Sequence, residues 1–325
     1  MKKFMKTCAI IALVFLIAGV VMAVTAGTIK GTSAIGDIVE SVTGGRLHVN
    51  LDSLADEWGV FIGEGESGQN GGYYDISEKD IFNDSYEIME GDVEQSFQGE
   101  EISGLKVEVG GCKLTLEPTE DENYYVEAHS IAKFQCYLED GVLYLKANQP
   151  VGEWKNITKD ARQHTIILHV PTGSSFENLE VKLGAGVVDM SGIRAMNVDM
   201  EVGAGQINVE GLSAETCKLD VGMGAILLED MAVENMQAET GMGNLELHGS
   251  ISESAEVQCA MGAVEMELAG SEKDYNYEIS AAMGSVILAG KEYSGFSNEK
   301  RVDNGADSTL QLECSMGSIE VTFAD

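Results

Sequence analysis

The sequence predicts an all-β fold, a single-stack parallel β-solenoid with coils of about 19 residues and two short strands in each coil. The first observation is a recurring segment, GAGQINV at 203–209, GMGAILL at 222–228 and GMGNLEL at 241–247. The second is period-2 alternation on both sides of each turn, which is typical of a strand with one buried face. Since one such unit cannot bury its own apolar face, neighbouring units must stack.

The repeat extends beyond these segments when the chain is aligned on the last residue of each turn. The second and fourth positions after it are apolar throughout, and we expect them to point inward. They are Leu114, Val188, Ile207, Ile226, Leu245, Val264, Val286 and Ile319, followed by Leu116, Met190, Val209, Leu228, Leu247, Met266, Leu288 and Val321.

Two properties explain glycine at the turns. It reaches backbone angles closed to other residues, and it lets adjacent coils approach closely at the bend. A phosphate-binding loop is excluded, since neither GAGQIN nor GAGVVD has a third glycine and no helix follows. A calcium-binding nonapeptide repeat is excluded as well, because its GGxGxD signature is absent.

The part before the repeat divides into two segments. Residues 1–30 are predicted to be an N-terminal transmembrane anchor or signal segment, because three lysines precede an apolar run from Cys8 to Val24. Val24-Thr25-Ala26 offers a cleavage site, so both alternatives remain open. Residues 31–100 are predicted to be an acidic flexible stalk and residues 101–325 the β-solenoid domain. This arrangement predicts a single-pass protein of the cell membrane, with a cytoplasmic N-terminus and an extracytoplasmic C-terminal domain.

The formal net charge of −34 excludes nucleic acid as a partner, since such a surface repels phosphates. No cofactor motif is present. The five histidines are scattered, and the odd spacing of His164 and His169 places them on opposite faces of one strand.

One set of acidic residues is a candidate metal site. Glu201, Asp220 and Glu239 occupy the same outward position in consecutive coils. They form either a solvated charged face or a weak divalent-cation site, because hard cations favour several carboxylate oxygens.

Three cysteines are predicted to lie inward as small core residues: Cys217, Cys259 and Cys314. Stacking in chain order puts Cys259 and Cys314 two coils apart, about 9.6 Å at the ladder spacing. Since that exceeds the reach of a disulfide, we expect all three to be free thiols.

Longer stretches resemble a known family. HTIILHVPTGSSFENLEVKLGAGVVDM, coils of the VEVGAGQINVEG type and ISGLKVEVGGCKLTLEP are similar to the bacterial putative-adhesin domain family over roughly residues 101–325. The resemblance implies an exported, membrane-attached β-solenoid with no established enzymatic activity, and it supplies no site residues.

The function predicted is therefore a membrane-anchored extracytoplasmic binding or structural module of the bacterial cell envelope, serving adhesion or the envelope-stress response. Its expected partners are the membrane, through the N-terminal helix, and cell-wall or envelope components or another membrane protein. Two alternatives stay open: a carbohydrate-active enzyme on a β-solenoid scaffold, and a sensory accessory of an envelope-stress system.

Overall fold

The computed structural model describes residues 81–97, 102–149, 164–294 and 298–324, and this part of the chain is all-β. The predicted anchor at 1–30 and most of the predicted stalk lie outside the described residues. Among the described residues, no helix has the length and apolar character needed to cross a membrane.

The described segments contain eighteen strands and a single 3-10 turn at Glu272–Asp274. The strands are β1 (Met89–Phe97), β2 (Gly104–Gly110), β3 (Cys112–Thr119), β4 (Tyr124–Glu139), β5 (Val142–Asn148), β6 (Thr165–Pro171), β7 (Phe176–Leu183), β8 (Gly186–Val202), β9 (Gln206–Val221), β10 (Ala225–Thr240), β11 (Asn244–Cys259), β12 (Ala263–Ala269), β13 (Tyr275–Ala281), β14 (Ser285–Leu288), β15 (Lys291–Ser294), β16 (Asn298–Val302), β17 (Ser308–Cys314) and β18 (Ser318–Ala324).

The central coils, β8 to β11, pair in parallel, and paired residues are nineteen positions apart except at Met231–Val233, which pair with Gly249–Ile251 eighteen positions away. Ile226, for example, lies between Ile207 and Leu245. All sixteen predicted inward residues are buried, and none is more than 4% exposed. None of the residues between them is buried. The inward and outward assignment is confirmed.

Each central coil contains a second corner with its own nineteen-residue spacing. Gly192, Gly211, Asp230 and Gly249 all have positive φ, a backbone conformation that glycine and aspartate tolerate best. The chain bends there without leaving the ladder, so the two short strands expected per coil form one bent strand of 16 or 17 residues.

The turn glycines are fixed by contact with the preceding coil, as predicted. A Cβ at Gly243 would lie 2.6 Å from a methyl of Val221 and would also strike the carbonyl oxygen of Gly224. Gly224, Gly262 and Gly317 are enclosed in the same way. Stacking of the coils therefore excludes a side chain at this position.

At both ends the coils do not stack in chain order, which corrects the prediction of a purely sequential parallel stack. The β2–β3 unit lies between the β5–β6 unit and the β7–β8 unit. The β17–β18 unit lies between the β11–β12 unit and the β13–β14 unit. Five antiparallel pairs, involving β1, β4, β5, β6, β13, β14, β15 and β16, complete these ends in the described chain.

This order changes the cysteine geometry. Cys259 and Cys314 are buried, as expected, but they lie directly opposite each other on the adjacent strands β11 and β17. The predicted separation of two coils was wrong, because it assumed that β13 follows β11 in the stack. Paired parallel strands are only about 4.8 Å apart.

One strand of the described fold lies before Glu101. Strand β1 lies within the range predicted as stalk and pairs antiparallel with β4. Its alternation is weak because the inward-facing residues Met89, Val93 and Phe97 are only partly buried, as at a sheet edge.

Candidate functional site: charged ladders on the outer faces

The described coils present two outer faces. The pre-turn face carries the outward side chains of β2, β5, β7, β13, β17 and the second halves of β8 to β11. The post-turn face carries those of β3, β6, β12, β14, β18 and the first halves of β8 to β11. Equivalent residues form straight rows because the strands are in register.

The predicted acidic ladder is present on the pre-turn face. Asp220 lies opposite Glu201 on one side and opposite Glu239 on the other. Glu201 and Glu239 are exposed, whereas Asp220 between them is half-buried. Like charges held one strand spacing apart repel, so this row costs free energy unless cations relieve it.

Lysines reduce this repulsion at the N-terminal end of the row. Next to Glu201, the row continues with Lys182, Glu108 and Lys146. The Lys182 ammonium lies 3.7 Å from the Glu201 carboxylate, and Lys146 lies 3.5 Å from Glu108. In the neighbouring row, Lys106 contacts Glu180 at 2.9 Å. Charges of both signs therefore alternate over this end of the face.

The opposite end carries no such alternation, since the row continues from Glu239 to Gln258 and Glu313. The pKa of Asp220 is raised by its burial and by the adjacent Glu239, with Lys218 opposing the shift. The pKa of Glu180 is lowered instead, because hydrogen bonds from Lys106 and Lys182 outweigh the effect of burial. The charge imbalance of the face thus begins at Asp220.

The ladder brings its three carboxylates side by side but does not converge them on one point. Among the described His, Cys, Asp and Glu residues, no group of three or more is placed to hold a metal ion. The divalent-cation site at Glu201, Asp220 and Glu239 remains a prediction.

Beyond the ladder, the pre-turn face forms a polar cavity of about 520 Å³. Arg301, from the antiparallel strand β16, contacts Glu278, which lies opposite it on β13, at 3.1 Å. The outward residues around the cavity are Glu256, Gln258, Glu278, Ser280, Glu299, Arg301, Gln311 and Glu313. No aromatic side chain lines it in the described chain.

The post-turn face has an acidic ladder of its own. Glu265 lies between Glu246 and Glu320, and all three are exposed. It matches the predicted ladder in length and charge, so the two faces can be compared residue for residue.

An alternating row of acids and histidines on the post-turn side was missed by the sequence analysis. His169 lies 3.2 Å from Glu117 and 3.7 Å from Glu127, and His129 lies 3.6 Å from the other oxygen of Glu127. His164 stands apart, with its Nδ1 2.6 Å from the carbonyl oxygen of Ser130. The row depends on the antiparallel pairing of β4 with β6, and no local spacing in the sequence reveals that pairing.

The comparisons with known proteins identify the family of the chain. The family model described as Toastrack DUF4097 matches residues 102–322, about two thirds of the chain. The chain belongs to this family. The resemblance to the putative-adhesin domain family is confirmed, and it supports a binding or structural module.

Solved structures of similar proteins match at low identity. A "putative cell adhesion protein" from Clostridium sporogenes is 13% identical, covers 72% of this chain and 100% of its own, and has a TM-score of 0.35. A "putative adhesin" from Bacteroides fragilis is 11% identical, with 72% and 98% covered and a TM-score of 0.37. A "putative lipid binding protein" from Parabacteroides distasonis is 13% identical, with 71% and 96% covered and a TM-score of 0.37.

These relatives of the Toastrack domain are too distant to assign it a ligand. No curated protein matches the chain. The family and the similar structures are described as adhesins or binding proteins rather than as enzymes.

Proposed function

We propose that this Toastrack protein is a membrane-anchored, extracytoplasmic β-solenoid that binds a cationic, extended component of the bacterial cell envelope through its pre-turn face. The observation that carries the proposal is the acidic ladder of Glu201, Asp220 and Glu239, in which the pKa of Asp220 remains raised although Lys182 contacts Glu201 and Lys218 lies in the adjacent row. A row of charges at a regular spacing of about 4.8 Å suits an extended partner better than a compact one.

Charge supports the class of partner. The net charge of −34 attracts cations over long range and accelerates encounter with a positively charged chain. Binding such a partner would also relieve the repulsion within the ladder, so the interaction gains free energy from both effects. Amine-bearing cell-wall polymers and basic segments of membrane proteins both have this chemistry.

The location is inferred from the N-terminal sequence. Lys2, Lys3 and Lys6 before the apolar run Cys8–Val24 favour a cytoplasmic N-terminus and export of the remainder. A module held at the membrane surface would present its pre-turn face within the envelope.

The test compares the two acidic ladders in the full-length chain. One variant carries Glu201→Gln, Asp220→Asn and Glu239→Gln, and its matched control carries Glu246→Gln, Glu265→Gln and Glu320→Gln. Each variant removes three charges from exposed or half-buried positions, so the net charge is the same in both.

Retention is measured on isolated bacterial cell walls and on immobilised polylysine as a defined polycation. We expect the pre-turn variant to lose at least about fivefold in affinity, a difference of roughly 1 kcal/mol, while the post-turn variant binds like the wild type. Equal losses in both variants would show that net charge alone governs binding, and the proposal would be wrong.

A further inference from the structure

The turns of the C-terminal coils carry a row of methionines on the outside of the molecule. Met223, Met242, Met261, Met316 and Met283 each occupy the middle of a small-x-Gly turn, and we call this set the methionine row. Four of them are between 37% and 44% exposed, and Met316 is half-buried.

Backbone hydrogen bonds hold the row in register. The amide of Met242 donates to the carbonyl of Gly222, that of Met261 to Gly241, and that of Met316 to Ala260. The amide of Met283 donates to Ser315 in the same way. The five residues thus stand one above another, in the order 223, 242, 261, 316 and 283, although two of them are out of order in the chain.

The turn itself does not require methionine. Ala185 and Ala204 occupy the same position in the two preceding coils, and the amide of Ala204 makes the equivalent bond to Gly184. The long side chains belong neither to the described core cluster nor to the partly buried residues packed against it. Their presence in five adjacent turns therefore needs another explanation.

The methionine row is explained less well by an apolar docking surface than by a role for its sulfur atoms. Leu, Ile or Phe would supply as much apolar area, yet every residue of the row is Met. Among the described residues, Ile88 is the only large exposed apolar side chain that is not a methionine. The feature shared by the row is a solvent-accessible thioether.

We propose that the methionine row binds a soft monovalent cation, Cu(I) or Ag(I), through adjacent thioether sulfurs. Soft thioether ligands select such ions over the hard cations that carboxylates prefer. Binding is coordination by sulfur lone pairs with displacement of water, and it involves no change of oxidation state. The inference is independent of the cationic partner proposed for the pre-turn face.

The spacing allows several sulfurs to reach one ion. Consecutive rungs are about 4.8 Å apart, and a methionine side chain with its flexible torsions can lean across that distance. Met242, Met261 and Met316 form the middle of the row and have a methionine on both sides. The negative net charge of the chain also raises the local cation concentration.

Ag(I) serves as the redox-inert probe, added to the full-length chain labelled with ¹³C at the methionine methyl groups. We expect the methyl signals of the row to shift at substoichiometric silver, while Met196, exposed on the chain but outside the row, stays in place. Cu(I) under anaerobic conditions should compete with silver for the same signals.

Matched variants assign the site by calorimetric titration. Met242→Leu, Met261→Leu and Met316→Leu together keep the side-chain volume, so the fold should persist. We expect the triple variant to bind Ag(I) at least about tenfold more weakly, equivalent to about 1.4 kcal/mol. Met196→Leu should bind like the wild type.

All proteins are compared in a Cys8→Ser background, and the five cysteines of the described chain are buried, so thiol binding does not mask the row. Equal silver affinity of the wild type and the triple variant would overturn the proposal. So would a shift of the Met196 methyl signal as large as those of the row, since isolated thioethers would then bind as well as stacked ones.

Discussion

The central coils and the two ends of the described fold follow different stacking rules. From β8 to β11, the coils stack in chain order and residues pair with their equivalents nineteen positions away, apart from a short register shift between β10 and β11. At the ends, the β2–β3 and β17–β18 units are inserted between units that are distant in the chain. A strict repeat length leaves only a short turn between coils, whereas longer connections let a strand pair elsewhere.

The centre and the ends also cover their apolar residues in different ways. The central coils bury their apolar residues between two neighbours, and the ends are completed by antiparallel strands such as β1, β15 and β16. These strands cover the outermost units and leave part of their own apolar surface accessible. We expect the centre to tolerate changes in its core much less than the ends do.

The largest effect is expected from a charge in the central core. Ile226 is 1% exposed, so Ile226→Asp would bury an unpaired carboxylate and should cost more than about 4 kcal/mol. Val302, on the closing strand β16, is only partly buried, and Val302→Asp should cost less than about 2 kcal/mol.

Thermal unfolding of the two variants checks this order, with Glu246→Ala as an exposed control that should change stability by less than about 0.5 kcal/mol. Equal destabilisation by Ile226→Asp and Val302→Asp would contradict the distinction between centre and ends.

The next effect concerns the turn glycines. A Cβ at Gly262 would meet a methyl of Thr240 at 2.7 Å and the carbonyl oxygen of Gly243, so Gly262→Ala should cost about 2–3 kcal/mol. Gly305, in the loop before β17, has a φ of 70°, and an added Cβ would lie in open space. Gly305→Ala should cost about 1 kcal/mol, from backbone strain alone. Denaturant unfolding measures both, and a larger loss at Gly305 would refute the role of coil contact.

The position of the β17–β18 unit beside β11 can be tested through Cys314. A hydrogen bond from Cys314 lowers the pKa of Cys259 to about 7 against the opposing effect of burial. We expect diamide at pH 8 to accept two hydrogens from this pair and leave a Cys259–Cys314 disulfide, which would stabilise the fold by about 2 kcal/mol. Since strand neighbours lie about 4.8 Å apart, the pair is within disulfide range.

Peptide mapping by mass spectrometry identifies the bond, and Cys314→Ser is the control that should abolish it. Linkage of Cys259 to Cys217 instead, or two free thiols after oxidation, would contradict the direct opposition of β11 and β17.

The sequence contained enough information for the core but not for the order of the units. The inward residues were predictable because period-2 alternation reports the buried face directly, as Ile207, Ile226 and Leu245 show. The second corner at Gly192, Gly211, Asp230 and Gly249 was available as a nineteen-residue spacing, but Asp230 interrupts the glycines. The contact of Cys259 with Cys314 was not predictable, because pairing between distant strands leaves no local pattern.

The candidate site divides in the same way. The row of Glu201, Asp220 and Glu239 followed from the repeat, because all three lie in regular coils. The histidine row around Glu127 did not, since it depends on the antiparallel pairing of β4 with β6. Rows of charged residues within the regular coils can therefore be predicted from the sequence, whereas those at the irregular ends can be recognised only in the structure.

A smaller effect is expected from calcium. If the acidic ladder is only a charged face, Ca²⁺ and Na⁺ at matched ionic strength should raise the melting temperature equally by screening. A divalent-cation site would instead give Ca²⁺ an advantage of more than about 2 °C, corresponding to roughly 0.5 kcal/mol or more. That advantage should vanish when Glu201→Gln, Asp220→Asn and Glu239→Gln are combined, and its absence in the wild type would reject the metal hypothesis.

The smallest effect distinguishes the compensated and uncompensated ends of the ladder. Burial and the neighbouring Glu239 raise the pKa of Asp220 above its usual value of 3.8, so the ionised carboxylate destabilises the folded state. This penalty is fully present at pH 7 and disappears as the pH falls through the folded-state pKa towards 3.8, because the folded protein binds the proton more readily. Asp220→Asn should therefore stabilise the fold by about 0.5 kcal/mol at pH 7 and by nothing below both pKa values.

Glu201→Gln should give no gain, because the Lys182 ammonium 3.7 Å away already compensates that charge. Unfolding curves between pH 3 and pH 8 measure both variants, and equal stabilisation by the two substitutions would show that Lys182 does not divide the ladder.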